Sequence, residues 1–275
     1  MSDRLASAGR AVVTLLTDFG TRDGYVGAMK GVIASICPGA SIHDIAHDIA
    51  PGQIRAGAFA LAAAAPYFPA GTVHVAVVDP GVGSERRPLL VESGGQLFVG
   101  PDNGLLSQAA ATPRVVRVLD RPGWFREPVS STFHGRDVFA PVAAHAAAGV
   151  DVDELGSTMA TMVALEVASP SREHDGVTGE ILHADRFGNL VTNIERSHLP
   201  GDIRVVQVSV GTTAVGPLVR TYADAAVGTL MALFGSGGRL EIAERDGSAA
   251  SRLGRDAAAG TPVSVRGAPP VRRTV

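Results

Sequence analysis

Residues Val73 to Val78 form a mostly apolar run rich in β-branched side chains. Such a run suits a strand buried on both faces of a parallel sheet. It stops at Asp79, and Pro80, Gly81 and Gly83 then force a turn. A carboxylate is thereby placed at the carboxyl end of a buried strand, where open α/β sheets bind their ligands. Arg86 follows seven residues later, behind a turn tight enough to fold it back toward Asp79. On these residues alone, an Asp capping a loop beside a solvated Arg is an equal reading. The rest of the chain has to decide.

Upstream, Val12 to Leu16 reads as a second strand, and it too ends in a carboxylate, within Thr17-Asp18-Phe19-Gly20. Gly20 to Asp23 turn the chain, and Tyr25 to Ile36 has the apolar spacing of an amphipathic helix closed by Cys37-Pro38-Gly39. Ser41 to Ile49 reads as a short strand and loop, and Pro51 as the start of a helix reaching Ala65. After Val73–Val78 come Leu89–Glu92 and Gln96–Val99, a hairpin over Gly94-Gly95. A short helix is predicted over Leu105–Ala111, a strand over Arg114–Leu119 and a helix over Val138–Ala148. Strands alternating with helices indicate an α/β unit with a mainly parallel sheet covered by helices.

The pattern changes after Gly156. Residues 1–162 are assigned to the α/β domain and 163–176, with Ser169-Pro170-Ser171, to a linker. Residues 177–268 read as a smaller all-β, barrel-like domain of short strands: Gly179–Ala184, Leu190–Ile194, Ile203–Val210, Thr213–Val215, Leu240–Ala243 and Pro262–Arg266. Residues 269–275 read as a disordered tail.

Composition excludes several functions. A net charge of −3 over 275 residues leaves no electrostatic footprint for nucleic acid. The Ala-rich run Ala56–Ala65 is too short and too weakly apolar to span a bilayer. Cys37 is the one cysteine, which excludes a disulfide framework and points to a reducing, cytoplasmic setting. His43 and His47 invite a metal reading, but Ile42, Ile45 and Ile49 argue for a strand and loop. No third ligand cluster is evident, so no metal is expected.

Two polar stretches in the second half exceed what a plain β domain needs. Asp185-Arg186-Phe187-Gly188-Asn189 follows a strand, and Phe234-Gly235-Ser236-Gly237-Gly238 precedes Glu244. Asn can pair with both edges of an adenine, and Gly-Ser loops offer backbone N–H groups to a carboxylate. Each taken alone is equally a turn.

Taken in order, Thr17–Gly20, His47–Pro51, Val78–Gly83, Gly100–Gly104, Phe133–Asp137 and Phe187–Asn189 resemble one family. It is the adenosine-forming S-adenosylmethionine (SAM) hydrolases, or SAM hydroxide adenosyltransferases, relatives of fluorinase and chlorinase. The likeness runs from about Val12 to Val265. It implies an N-terminal α/β domain, a C-terminal β-barrel and a homotrimer binding substrate between subunits. It implies a catalytic triad of Asp79, Arg86 and His134. Asp18 would hold the ribose diol and Asn189 the adenine, flanked by Phe187 and Tyr222. Asp185 and Ser236 would meet the methionine amine and carboxylate, with Glu244 nearby. Asp23, at the end of the first turn, completes the substrate-binding set.

The halogenating relatives carry a Tyr where Asp79 stands, a Thr near Val82 and a Tyr-Ser pair at His134-Gly135. They also have a Trp at Gly52 and an Arg at Gly237. A carboxylate in the nucleophile's position argues against a halide pocket. The expected activity is therefore hydrolysis of SAM to adenosine and methionine, with water as co-substrate and no cofactor. Its rivals are a chloride-dependent SAM halogenase, a non-catalytic SAM- or adenosine-binding protein, and a metal-dependent hydrolase resting on His43 and His47.

Overall fold

A computed structural model describes residues 10–199 and 204–268. The tail at 269–275 and most of the N-terminal polar arm lie outside the described residues. The chain divides into two compact units between Leu165 and Glu166.

The N-terminal unit runs β1 (Val12–Thr17), α1 (Tyr25–Ile36), β2 (Ser41–Ala46), α2 (Ile54–Ala64) and β3 (Val73–Val77). It continues through β4 (Pro88–Ser93), β5 (Gln96–Pro101), β6 (Pro113–Val118), α3 (Ala140–Ala147), α4 (Val152–Leu155) and β7 (Ser157–Met159). The strands form one sheet in the order β2-β1-β3-β5-β4-β6-β7. Strands β2, β1, β3 and β5 are mutually parallel. β4 runs antiparallel to β5 and β6, and β7 antiparallel to β6. The sheet is thus mixed, with β4 and β7 alone reversed. β4 reverses because Gly94 and Gly95, at φ 58° and 77°, close a tight hairpin to β5 that other residues would strain.

Alternation along the strands sorts the core into two layers. Val13, Leu15, Val75 and Val77 face one way and pack with Met29 and Ile33 of α1 and Val142 of α3. Leu16, Ala76 and Val78 face the other way, against Ala58 and Leu61 of α2. Both faces are covered, so apolar side chains dominate these strands. Each such fully buried Val or Leu stabilises the fold by about 1.5–3 kcal/mol.

Three local expectations fail for identifiable reasons. The helix expected from Pro51 begins at Ile54, because Gly52 adopts φ 72° and gives its N–H to Asp18 Oδ2 at 2.8 Å. Leu105–Ala111 forms turns instead of a helix. There Asn103 Oδ1 takes the Leu105 N–H, and Ser107 Oγ bonds Gly104 O while accepting from Leu165 N. Such side-chain bonds compete with helix formation. Finally, the helix expected from Val138 is preceded by a π-helical turn over Gly135–Phe139.

The C-terminal unit contains β8 (Ser171–Glu173), β9 (Gly176–Ala184), β10 (Leu190–Glu195), β11 (Arg204–Val210) and β12 (Thr213–Val215). It ends with β13 (Leu230–Phe234), β14 (Arg239–Glu244), α5 (Ala249–Leu253) and β15 (Pro262–Ala268). The antiparallel order is β12-β11-β15-β9-β10-β14-β13, with β8 on β9. Gly216 N donates to Leu230 O at 3.0 Å and Val219 N to Ala232 O at 2.8 Å. These bonds join the chain after β12 to β13 and nearly close a barrel around Val177, Leu190, Val208, Ile242 and Val263. Strands β7, β8 and β13 were not expected from the sequence. The first two are only three residues each, too short for a periodicity.

Candidate active site

In the N-terminal unit, the register Thr17↔Val77 aligns the carboxyl ends of β1 and β3. Asp18 and Asp79 therefore leave the sheet at the same end. Asn103, just beyond β5, donates from Nδ2 to Val78 O at 2.9 Å and fixes the start of the Asp79 loop. Within that loop Arg86 does fold back. Its Nε lies 2.9 Å from both Asp79 oxygens, and its Nη2 also bonds Oδ2. Nη2 further reaches His134 Nδ1 at 2.8 Å. The Asp79 and Arg86 side chains are only 4 % and 9 % exposed, so the pair is shielded from screening by solvent. The guanidinium also lies 5.3 Å from the Phe139 ring centre.

Two loops must meet for this contact. Gly83 has φ 77°, and a Cβ there would stand 2.4 Å from Ser131 O, so a larger residue cannot let the loops approach. Asp137, fully buried, anchors the other side. It accepts from Arg136 at Oδ1 and Oδ2 (each 2.7 Å), from Ser130 N at 3.0 Å and from Arg126 at 3.3 Å. Phe133, beside His134, packs edge-on to Phe19 and Tyr25 at 5.8 and 5.2 Å, which ties the His134 loop to the loop after Asp18. Asp23 is exposed on the turn before α1.

Electrostatics set the protonation states. A guanidinium only donates, so His134 Nδ1 must accept and the neutral ring carries its proton on Nε2. Burial lowers the His134 pKa, and the Arg86 charge lowers it further. Arg86 occupies both Asp79 oxygens but leaves lone pairs for a further donor. The cluster can thus offer a carboxylate acceptor and an imidazole N–H donor side by side.

Six other candidate residues converge on one cavity of the C-terminal unit, with a volume of about 1010 Å³. Asp185, Phe187, Asn189, Tyr222, Ser236 and Glu244 all line it. Asp185 Oδ1 accepts from Phe187 N and Asn189 N at 2.8 Å each, and Oδ2 from Asn189 Nδ2 at 3.0 Å. Asn189 thus gives one of its two side-chain N–H donors to Asp185, and its Oδ1 can accept. Phe187 and Tyr222 are 76 % and 44 % exposed, an unusual state for large rings and one that suits stacking on a flat ligand. Gly188, at φ 82°, has no room for a Cβ beside Ser248 Oγ. Glu244 is held by Arg252 Nη1 at 3.0 Å.

Sequence reasoning missed Glu241 and Arg220, which line the same cavity. Glu241 Oε2 accepts from Tyr222 O–H at 3.1 Å. Burial raises its pKa, and nearby Asp185 raises it further against the Tyr222 bond. The signal was an acidic residue at the outward position between Leu240 and Ile242, where strand alternation leaves one face polar.

The structure gives His43 and His47 separate partners. His47 is buried, with Nδ1 2.9 Å from Thr17 Oγ1, while His43 lies 6.0 Å from the Phe68 ring. Among the described residues, no group of three or more metal-ligating side chains occurs. No helix among them is long and apolar enough to cross a membrane.

Comparison with known proteins agrees with both halves. A family model described as the SAM hydroxide adenosyltransferase N-terminal domain matches residues 13–156, and its C-terminal counterpart matches 179–260. An (R)-S-adenosyl-L-methionine hydrolase of Salinispora tropica is 42 % identical over 252 residues, covering 88 % of this chain and 93 % of its own. A protein of the same name from Thermus thermophilus is 41 % identical, with coverages of 88 % and 95 %. A fluorinase of an Actinoplanes species is more distant, at 28 % identity over 86 % of this chain and 91 % of its own. The crystal structure of an uncharacterized conserved protein from Thermotoga maritima superposes with a TM-score of 0.85 at 34 % identity, over 92 % of this chain and 99 % of that one. With both family models matched in order and relatives of this identity over most of its length, the chain belongs to the SAM hydroxide adenosyltransferase family.

Proposed function

We propose that the protein hydrolyses S-adenosyl-L-methionine to adenosine and L-methionine, by attack of water on C5′ of the ribose. The observation that carries this reading is the closed Asp79–Arg86–His134 cluster, in a chain over 40 % identical to proteins named (R)-S-adenosyl-L-methionine hydrolases. The substrate's sulfonium leaves as a neutral thioether, so no general acid is required. The reaction needs an oxygen nucleophile in line behind C5′, a fixed ribose and exclusion of bulk water.

In this reading water accepts from His134 Nε2–H and donates to Asp79. The new O–C5′ bond forms as the C5′–S pair moves onto sulfur, and the water proton passes to Asp79. Arg86 holds Asp79 in place. A bound chloride would face the Asp79 carboxylate, which disfavours the halogenase alternative. Asp18 would take the ribose hydroxyls. Phe187 and Tyr222 would flank the adenine, with Asn189 Oδ1 accepting from its amino group. Asp185 and Ser236 would lie toward the methionine end, with Glu244 nearby.

The proposed assembly is a homotrimer, in which one subunit's triad works with a neighbour's C-terminal cavity. Its support is that each unit bears part of the substrate set and that Phe187 and Tyr222 are exposed in the single chain. A cytoplasmic setting is proposed from the lone Cys37.

The test is reaction of purified protein with SAM in ¹⁸O-water containing chloride. Labelled adenosine, unlabelled methionine and no 5′-chloro-5′-deoxyadenosine are expected. Unlabelled adenosine or a halogenated nucleoside would exclude water as the nucleophile, and no product at all would leave a binding protein. A chain proven monomeric yet fully active would exclude the shared site.

A further inference from the structure

His47 is a buried polar residue with no part in the triad. It follows β2 and reaches the end of β1 twice. Its Nδ1 lies 2.9 Å from Oγ1 of Thr17, the last residue of β1, and its carbonyl accepts from Gly20 N at 2.8 Å. These two contacts fall on either side of Asp18. Five residues beyond His47, Gly52 donates to Asp18 Oδ2 at 2.8 Å. His47 therefore stands at the root of the loop that holds the Asp18 carboxylate, as well as against the backbone that carries it.

The protons of this network have one consistent order. His47 Nε2 lies 3.0 Å from Asp44 Oδ1, and Lys30 Nζ of α1 donates to Asp44 Oδ2 at 2.7 Å. A carboxylate only accepts, so Nε2 carries the imidazole proton and Nδ1 accepts from the Thr17 hydroxyl. The Thr17 oxygen is then left to accept from Phe19 N, at 3.2 Å. That local bond fixes the chain between residues 17 and 19, with Asp18 in the middle. Thr17 and His47 are both buried, so losing their bond strands a polar group away from water. Asp44 and Lys30 are partly exposed and contribute less.

We infer that His47 is a positioning residue for the ribose site, aiming the free oxygen of Asp18 at the diol through Thr17 and Gly20. This rests on the proposed role of Asp18 toward the ribose. A carboxylate that must meet two hydroxyls gains from a rigid support behind it, since its bonds weaken with small errors of aim. His47 supplies that support from the neighbouring strand and acts only through Asp18.

Adenosine and 2′,3′-dideoxyadenosine separate positioning from general stability, because only adenosine carries the diol. Affinities are measured by calorimetry, and Asp18→Ala defines the full loss of preference between the two. His47→Gln carries its amide to the place of Nε2 and abandons Thr17. It should bind adenosine about 10-fold more weakly and the dideoxynucleoside within about twofold of the unaltered protein. His47→Asn can set an oxygen near the place of Nδ1 and accept from Thr17, so it should keep most of the preference. Thr17→Val keeps the shape and removes the hydroxyl, and should match His47→Gln. The two changes combined should lose no more than either alone, as partners in one bond do.

Equal losses for both nucleosides would overturn the assignment, since His47 would then serve the fold alone. An unchanged preference in folded His47→Gln or Thr17→Val would overturn it too, and Thr17→Val decides if His47→Gln does not fold. A preference that survives Asp18→Ala would do the same, by removing the diol from Asp18. The reaction is judged apart, by adenosine formed from SAM. If the variants lose the preference and the unaltered protein leaves SAM intact, the positioning stands and the reaction is wrong. If SAM is hydrolysed and the variants keep the preference, the reverse holds.

Discussion

Arg86 Nη2 lies 2.8 Å from His134 Nδ1 while Arg86 Nε lies 2.9 Å from both oxygens of Asp79. One guanidinium thus fixes the tautomer of the imidazole and the orientation of the carboxylate. His134 then presents a donor at Nε2, which suits the proposed role of Asp79 as the base. Geometry divides these roles, although the two residues are 55 positions apart in the chain.

The acid limb of turnover should report His134. Protonation at Nδ1 would set two donors against each other and expel Arg86. Because burial and then Arg86 lower its pKa below the ordinary 6.5, the neutral ring persists under acidic conditions that would charge a free histidine. The midpoint of the acid limb of kcat/KM should therefore lie below pH 6.5. A limb above pH 7 attributable to His134 would contradict the tautomer.

Arg86→Lys preserves the charge and discards the fork. Lysine cannot bond both Asp79 oxygens and His134 at once. Turnover should fall by about 10²-fold or more, the scale of a positioned proton-transfer group, while SAM affinity changes little. Single-turnover rates beside calorimetric affinities distinguish the two effects. Near-normal turnover would mean that charge alone suffices.

Gly83→Ala tests the approach of the two loops. The substitution strains a residue at φ 77° and drives a Cβ into Ser131 O. A stability loss of about 1–3 kcal/mol is expected, with turnover reduced more than tenfold as Arg86 and His134 separate. Chemical denaturation and turnover should change together. Unaltered values in both would show that the loops can part without consequence.

How far the sequence discloses this arrangement depends on the range of the interaction. Asp79 and Arg86 were legible because a strand end and a glycine turn put both within one loop. Tyr25–Ile36 was legible to the residue because Val26, Met29 and Ile33 repeat on one face and Cys37-Pro38-Gly39 stops the helix. The start of α2 was not, since Gly52 is diverted by a bond to Asp18, 34 residues away. The π-helical turn at Gly135 was hidden for a similar reason: it answers to Asp137 and Arg126, not to periodicity. Glu241 escaped notice because one outward acid on a strand looks like solvated surface until Tyr222 is seen beside it. The triad's third member and the division of substrate contacts came from resemblance, which local patterns could not supply.

Away from the site, His74 should make the fold sensitive to acid. It is fully buried between Phe98, stacked at 4.9 Å, and Phe68 at 5.6 Å, with Nδ1 2.7 Å from Thr14 Oγ1. Burial depresses its pKa to about 4. The unfolded chain binds a proton near 6.5 and the folded chain does not, so the unfolded state gains protons first as pH falls. Stability is then complete above pH 6.5 and declines by up to about 3 kcal/mol on acidification to pH 4. Urea unfolding across this window should show the slope in the unaltered protein and a smaller one in His74→Gln. Equal slopes would remove His74 as the source.

Asp18 and Asp79 leave neighbouring strands at the same end of the sheet, yet they should fail differently when replaced. Asp18 Oδ2 accepts from Gly52 N at 2.8 Å, and its other oxygen remains for a ligand hydroxyl. Both Asp79 oxygens are instead held by Arg86, which suits a group that orients and deprotonates water more than one that binds sugar. Asp18→Ala should therefore weaken adenosine and SAM by about 10-fold to 100-fold, as expected for bonds of roughly 1.5–3 kcal/mol. Asp79→Ala should bind both with little change and turn over at least about 10²-fold more slowly. Adenosine is the sharper probe, because it carries the ribose diol and adenine without the sulfonium. Titration of the two variants with adenosine, followed by single-turnover kinetics with SAM, reads each role in isolation. If both variants lose adenosine affinity equally, Asp79 is also a sugar contact and the division of labour between the two strand ends is wrong.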